Sequence, residues 1–287
     1  MSRGWSTLGI RLHSDTSALR QLLEEQRAQG RSIGFVPTMG YLHRGHQSLI
    51  EASAADGHFT VVSIFVNPAQ FGPNEDLDSY PHDHDRDYRL CVESGADLVW
   101  YPERHDLYPP ASQTMVSPGA LAQRLCGISR PQFFGGICSV VLRFFNLIRP
   151  QVSYFGEKDY QQLAIIRRMV EDFYLDIKIV GGPLIRDPDG LAMSSRNARL
   201  KSGTRDSALS LVRTIRAAQE AFAGGERDAA TLGGKLREHW PDELALDYLD
   251  FREPVFLEEV KTLQCDTRIF LGAWLDGIRL IDNDALA

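Results

Sequence analysis

His43 and His46, set in PTMGYLHRGH (Pro37 to His46), have the types and spacing that point most directly to chemistry. The block follows a short apolar run and opens a helical pattern, so the HxGH histidines fall at a helix amino terminus. Imidazole N–H donors and the positive end of the helix together suit a polyphosphate, and Gly45 lets a nucleotide approach the backbone. A second cluster, FGEKDYQQL (Phe155 to Leu163), also sits where a strand runs into a helix. Lys158 can reach a phosphate as a point charge, while Gln161 and Gln162 carry uncharged donors and acceptors suited to a hydroxy acid. The third, RDPDGLAMSSRN (Arg186 to Asn197), gathers the hydroxyls of Ser194 and Ser195 with the forked guanidinium of Arg196, a set suited to phosphate oxygens. The same segment reads equally as a tight turn at Asp189-Gly190 and a helix cap. In VNPAQF, the polar groups of Asn67 and Gln70 stand beside Pro68 and Phe71, the mixture expected of a small-molecule pocket.

Elements must bring these clusters to one edge. Short apolar runs at Ser32 to Pro37, Phe59 to Val66, Leu98 to Tyr101, Val152 to Phe155 and Ile177 to Val180 read as strands. Helical spacing covers Ser17 to Gln29, Gly45 to Asp56, Asp85 to Glu93, Gly136 to Ile148 and Lys158 to Phe173. The alternation predicts a Rossmann-like, doubly wound parallel α/β sheet, with the clusters at the carboxyl edge where ligands bind. Past Gly181-Gly182 the texture changes to helices at Ser207 to Phe222 and Leu232 to Trp240, then strands at Leu246 to Phe251, Arg268 to Leu275 and Ile278 to Ile281. We expect a nucleotide- and substrate-binding domain over 1–185 and a smaller α+β domain over 186–287 that closes over the site.

The formal net charge of −7 argues against a surface built for nucleic acid. The amino-terminal stretch lacks the apolar run of about 7 to 15 residues that a secretory signal needs, and no stretch reaches the ~18 needed to cross a bilayer. Cys91, Cys126, Cys138 and Cys265 match neither a CxxC metal pattern nor a disulfide framework. These features predict a cytoplasmic protein without nucleic-acid or membrane partners.

The HxGH block and the Ser-Ser-Arg-Asn segment resemble the nucleotidyltransferase superfamily that includes class I aminoacyl-tRNA synthetases; the short, acidic chain with no evident anticodon-binding module speaks against a synthetase of that kind. More closely, VPTMGYLHRGH, VVSIFVNPAQF, EDLDSYP, FGEKDYQQL, RDPDGLAMSSRN and RLIDN, in that order from Val36 to Asn283, resemble the pantothenate synthetase (pantoate–β-alanine ligase) family. The resemblance implies ATP-dependent ligation of pantoate and β-alanine through a pantoyl adenylate, with Mg²⁺ on the phosphates and a homodimeric assembly. It implies that His43, His46, Lys158, Ser194, Ser195 and Arg196 stabilise the phosphates. Pro37, Thr38, Met39, Gly45, Gly156, Asp159, Ile185 and Met193 would contact ATP. Met39, Asn67, Gln70, Gln162, Arg130 and Phe133 would line the pantoate and amine sites, and Asp87 would assist Mg²⁺.

The sequence departs from the family pattern at four positions. Cys126 stands where Glu is usual, Phe133 where His is usual, Arg143 where Lys is usual and His82 where Arg is usual. Two readings follow: drift, with Phe133 filling the imidazole's space, or a pocket that accepts a different amine or hydroxy acid. A non-catalytic nucleotide-binding paralogue is a third, and the presence of every phosphate-handling residue speaks against it.

Overall fold

The computed structural model describes residues 9–72, 75, 77, 79–201 and 203–287. Asp76 and Asp78 of the EDLDSYP block, and the amino-terminal residues 1–8, lie outside that set. In chain order the elements are β1 (Ile10–His13), α1 (Thr16–Ala28), β2 (Ile33–Thr38), α2 (Arg44–Ala55), β3 (Phe59–Ile64), α3 (His84–Glu93), β4 (Leu98–Tyr101), α4 (Arg104–Leu107), α5 (Cys126–Ser129), α6 (Phe133–Ile148), β5 (Val152–Gly156), α7 (Tyr160–Asp172), β6 (Lys178–Gly182), α8 (Arg205–Ala208), α9 (Ser210–Ala223), α10 (Ala229–Glu238), β7 (Ala245–Arg252), β8 (Arg268–Leu275) and β9 (Ile278–Ala285). They group into two compact units. The first runs to Ser117 and adds Gln132–Gly156 and Ile166–Gly182; the second takes Pro118–Pro131, Glu157–Ile165 and Pro183–Ala287.

The first unit is a parallel six-stranded sheet in the order β1-β4-β3-β2-β5-β6. From β2 the chain moves outward through β3 to β4, then returns to the other side of β2 as β5 and β6. The winding therefore reverses between β2 and β5, the place where a doubly wound sheet opens a crevice at its carboxyl end. Here β5 pairs with β2 only at Gly34 and Phe35, so the ladder on that side has ended before Pro37, which has no N–H to give. Both faces are covered, which explains why β3 is buried at every residue and reads as an unbroken apolar run. One face packs Val36, Val62 and Val99 against Leu49 and Ile50 of α2. On the other, the Phe144 ring of α6 meets Phe35 and Trp100, with centroids 5.4 and 5.9 Å apart.

In the second unit β7, β8 and β9 form an antiparallel sheet. Its apolar face joins Leu211, Ile215 and Phe222 of α9 and Leu232 of α10 in a single core. The architecture is the expected doubly wound α/β sheet with a small α+β part. Among the described residues no helix is long and apolar enough to cross a membrane.

Some local details differ from the sequence expectation. Strand β1 adds an edge to the sheet; four residues, three of them exposed, carry too little pattern to register as a strand. The helix expected from Lys158 starts as a 3-10 turn at Glu157–Asp159 before α7, and the one expected from Ser207 divides into α8 and α9 at Leu209. Strand β9 continues to Ala285, past the Ile281 at which its apolar run stops, because Asp282 and Asn283 are buried by polar partners rather than by apolar ones.

Candidate active site

In the first unit, β2 delivers its last residues to the HxGH loop. His43 is the N-cap of α2: its Nδ1 accepts the Gly45 N–H at 3.1 Å, and its own N–H donates to His46 Nδ1 at 3.3 Å. The two rings lie 4.1 Å apart at 38°. Because each Nδ1 accepts a backbone N–H, each neutral imidazole carries its proton on Nε2, which leaves both rings as Nε2–H donors. A Cβ on Gly45 would come within 3.0 Å of the His43 ring, so the glycine of HxGH protects the imidazole's placement.

The loop before His43 hangs on α3. The Asp87 carboxylate accepts the Tyr41 N–H through Oδ2 and the Leu42 N–H through Oδ1, each at 2.7 Å, and its side chain is fully buried. Burial pushes its pKa up, against the pull of those two N–H groups and of Arg86. Tyr41 holds a left-handed φ of 49°, a strained conformation for a non-glycine residue that the Asp87 contact helps fix. The family resemblance assigns Asp87 to Mg²⁺. Here both of its oxygens face inward to the backbone, and among the described residues no three His, Cys, Asp or Glu side chains gather into a metal-binding group. The residues do not fit a protein-held cation at this position.

Met39, Asn67 and Gln70 come together beside α6. Gln70 Nε2 lies 3.0 Å from Met39 Sδ, and Gln70 Oε1 accepts from Asn67 Nδ2 at 3.2 Å. Asn67 is buried and its amide is fully committed: Nδ2 also donates to Gly136 O at 3.1 Å, while Oδ1 accepts from Ala69 N at 3.3 Å and Tyr108 OH at 2.9 Å. Gly136 makes that close approach possible, since a Cβ there would stand 2.2 Å from Ala69 O. The Arg143 guanidinium lies 4.5 Å from the Tyr108 ring and donates to Ser112 Oγ and Thr114 O, so its planar fork supports the same cluster. Phe133 begins α6 with its ring 5.0 Å from Phe134. Thr38, buried, donates to Ser63 O at 2.8 Å, and Gly156 ends β5 opposite Gly182 of β6.

Lys158, Asp159, Gln161, Gln162, Arg130, Ile185 and Met193 belong to the second unit, with Ser194, Ser195 and Arg196. Lys158 Nζ stands 3.8 Å from Asp159 Oδ2. Gln161 is a buried strut: its Oε1 accepts the Cys126 N–H, and its Nε2 donates to Leu121 O and Arg124 O. Ile185 and Met193 face each other across a small hairpin, joined by Met193 N to Ile185 O at 3.0 Å and by the Arg186–Ala192 bridge. At its tip Arg205 holds Asp187 and Asp189. Ser194 then caps the 3-10 turn Ser195–Arg199, its Oγ accepting the Arg196 N–H. Cys126 is buried beside Arg279 and Arg130; burial pushes its thiol pKa up, and the two guanidiniums oppose that. Arg279 is itself paired with Asp247 at 2.6 Å.

Sequence reasoning did not give roles to Asp282 and Asn283, although it singled out RLIDN as a block. Their partners, Arg186, Arg268, Glu157 and Lys158, come from distant parts of the chain, and no local spacing announces them.

The profile of the Pantoate-beta-alanine ligase family matches residues 11–285. The pantothenate synthetase of Thermotoga neapolitana is 42% identical over 279 residues, covering 96% of this chain and 100% of the relative. That of Pelobacter propionicus is 47% identical over 262 residues, 91% of this chain and 92% of the relative. The crystal structure of pantothenate synthetase from Thermus thermophilus superposes with a TM-score of 0.91 at 40% identity, covering 96% of this chain and 99% of that one. The pantoate-beta-alanine ligase of Francisella tularensis, solved in complex with beta-gamma ATP and beta-alanine, gives 0.80 at 32% identity, covering 97% and 98%. Matched by the family profile over residues 11–285 and by relatives over nearly its whole length, this chain belongs to the pantoate–β-alanine ligase family.

Proposed function

We propose that this chain joins pantoate to β-alanine in two steps with pantoyl adenylate between them. A pantoate carboxylate oxygen attacks the α-phosphorus of ATP, the bond to the bridging oxygen breaks and pyrophosphate leaves. The amine of β-alanine then attacks the acyl carbon, AMP leaves with the carboxylate-derived oxygen, and the amide nitrogen gives up a proton. Adenylation is needed because a carboxylate has no usable leaving group. No covalent nucleophile is required of the protein; positioning and charge stabilisation suffice.

The observation that carries this reading is the paired Nε2–H donors of His43 and His46 at the amino terminus of α2, beyond the carboxyl end of β2. Donors fixed in advance at a helix terminus stabilise the charge that builds on transferring phosphate. Lys158, Ser194, Ser195 and Arg196 offer positive charge and hydroxyl donors suited to phosphate oxygens. Pro37, Thr38, Met39, Gly45, Gly156, Asp159, Ile185 and Met193 contact the nucleotide, and Met39, Gln70 and Gln162 hold pantoate. Asn67 serves by fixing Gln70, and Asp87 by fixing the loop. Mg²⁺ accompanies ATP as the counter-ion of its phosphates, with no dedicated carboxylate set from the chain. We place the enzyme in the cytoplasm as a homodimer; light scattering behind size exclusion is expected to give about twice the 32.2 kDa of one chain, and a 32.2 kDa species would exclude the dimer.

Pantoate-dependent ATP–pyrophosphate exchange tests the first step apart from the choice of amine, and AMP release on adding β-alanine tests the second. Exchange without β-alanine-dependent AMP release would favour the second reading, in which Cys126 and Phe133 mark a changed amine site. No exchange from folded, ATP-binding protein would overturn the adenylation of pantoate.

A further inference from the structure

Strand β9 carries two adjacent buried polar residues, Asp282 and Asn283, that the reaction above does not use. The Asn283 amide is committed at both ends. Its Nδ2 donates to Glu157 O at 3.0 Å and to Lys158 O at 2.9 Å, and its Oδ1 accepts from Arg268 Nε at 3.2 Å and Nη2 at 2.9 Å. Guanidinium on one side and two carbonyls on the other leave the amide a single orientation. Arg268 is held in turn by the face of Tyr160, 4.0 Å from its centroid, and by Glu157 at 3.7 Å. The short 3-10 turn Glu157–Asp159 is thus fastened by a side chain 125 residues away in sequence. One residue earlier, Asp282 takes both ends of the Arg186 guanidinium at 2.7 and 3.0 Å, and Arg186 donates onward to Gly190 O within the hairpin that leads to Ser194. All of these residues lie in the second unit.

We infer that Asn283 is a positioning residue for Lys158: by clamping the Glu157 and Lys158 carbonyls it fixes the point from which the lysine reaches the phosphates. The inference rests on the proposed role of Lys158 as a phosphate contact. A lysine ammonium is a point charge on a flexible stem, so the backbone that bears it must supply the precision that a guanidinium fork would carry itself. A displacement on the order of 1 Å of such a group costs up to ~10²-fold in rate.

The test is a double-mutant cycle on pantoate-dependent ATP–pyrophosphate exchange. Asn283→Ala is expected to lower the kcat of exchange by about 10- to 100-fold with the KM for pantoate within about twofold, and Lys158→Ala by ~10²- to 10³-fold. If Asn283 acts through Lys158, the double variant is no worse than Lys158→Ala alone, within about twofold. A further 10-fold or greater loss in the double variant overturns the inference, because general damage multiplies. Unchanged exchange in Lys158→Ala overturns the phosphate role of Lys158 and the inference with it, whereas absent exchange in the unaltered chain overturns the proposed function itself. Should Asn283→Ala lose its folded circular dichroism spectrum, Arg268→Lys takes its place: it keeps the charge but loses the fork that orients the Asn283 oxygen, and the same cycle with Lys158→Ala decides.

Discussion

At the scale of single residues, what holds the HxGH rings in place is local. A cap, a glycine and a second ring lie within four residues, and the hydrogen bonds from Gly45 and His43 N–H groups fix which nitrogen carries each proton. Replacing His46 with alanine removes an Nε2–H donor and releases the His43 N–H, without opening a buried apolar cavity. We expect His46→Ala to cut pantoate-dependent exchange by at least ~10²- to 10³-fold with a thermal midpoint close to that of the unaltered chain, and near-normal exchange would refute the role. Asn67 was harder to read. A polar residue beside Gln70 looks like a ligand in sequence, and only the positions of Gly136 and Tyr108 reveal that all four of its hydrogen-bonding positions are spent inside the protein. Composition near a site marks the neighbourhood; which polar groups are already committed depends on residues 41 and 69 positions away.

At the scale of elements, periodicity located the long helices and the buried strands other than β9 to within about three residues, since each must bury a continuous face. What it did not show is polar burial. Helix α3 lies where its spacing put it, but nothing in that spacing marks Asp87 as fully buried alongside Cys91. Removing that carboxylate leaves the Tyr41 and Leu42 N–H groups without partners in a buried place, so Asp87→Ala should cost about 2–4 kcal/mol in chemical denaturation and lower exchange through the displaced histidine loop. The Mg²⁺ concentration giving half-maximal exchange should stay within about twofold, since the ion rides on ATP. A tenfold rise in that concentration would instead restore Asp87 to the metal. The hairpin before Ser194 gives a pH-dependent counterpart. Hydrogen bonding from Arg205 holds the Asp189 carboxyl below its ordinary value. An acid whose folded pKa is depressed stabilises the fold above its unfolded pKa of about 3.9 and loses that contribution as pH falls through the folded value. The gap in thermal midpoint between the unaltered chain and Arg205→Met should therefore be constant from pH 7 to about 5 and close below about 4; a gap that widens in acid would contradict the pairing.

For the whole molecule, a linear reading puts a domain boundary where composition changes, near Arg186, whereas the contacts group the chain by packing. The second unit draws in Pro118–Pro131 and Glu157–Ile165, and these segments are woven into its polar framework. Gln161 ties Leu121, Arg124 and Cys126 together. Tyr160 lies 5.9 Å from the Phe270 ring and beneath Arg268, while Arg124 binds Glu258. Ser129 donates to Asp247, the carboxylate that also pairs with Arg279. A fragment cut at the compositional boundary, residues 186–287, keeps the three strands, α8 to α10 and the Asp247–Arg279 pair but loses every partner that comes from earlier in the chain. It exposes Phe270, leaves the Asn283 amide without its two carbonyls, and holds Arg268 and Arg279 next to groups that have lost their neighbours. Buried polar groups deprived of partners cost about 1–3 kcal/mol each, and the net stability of a domain this small is only a few kcal/mol. The fragment is therefore expected to lack a cooperative thermal transition and to give a poorly dispersed amide spectrum, although its apolar pattern is complete. A sharp transition with well-dispersed amides would show that the three-stranded sheet and its helices suffice, and that the segments from earlier in the chain are accessories to a core that stands without them.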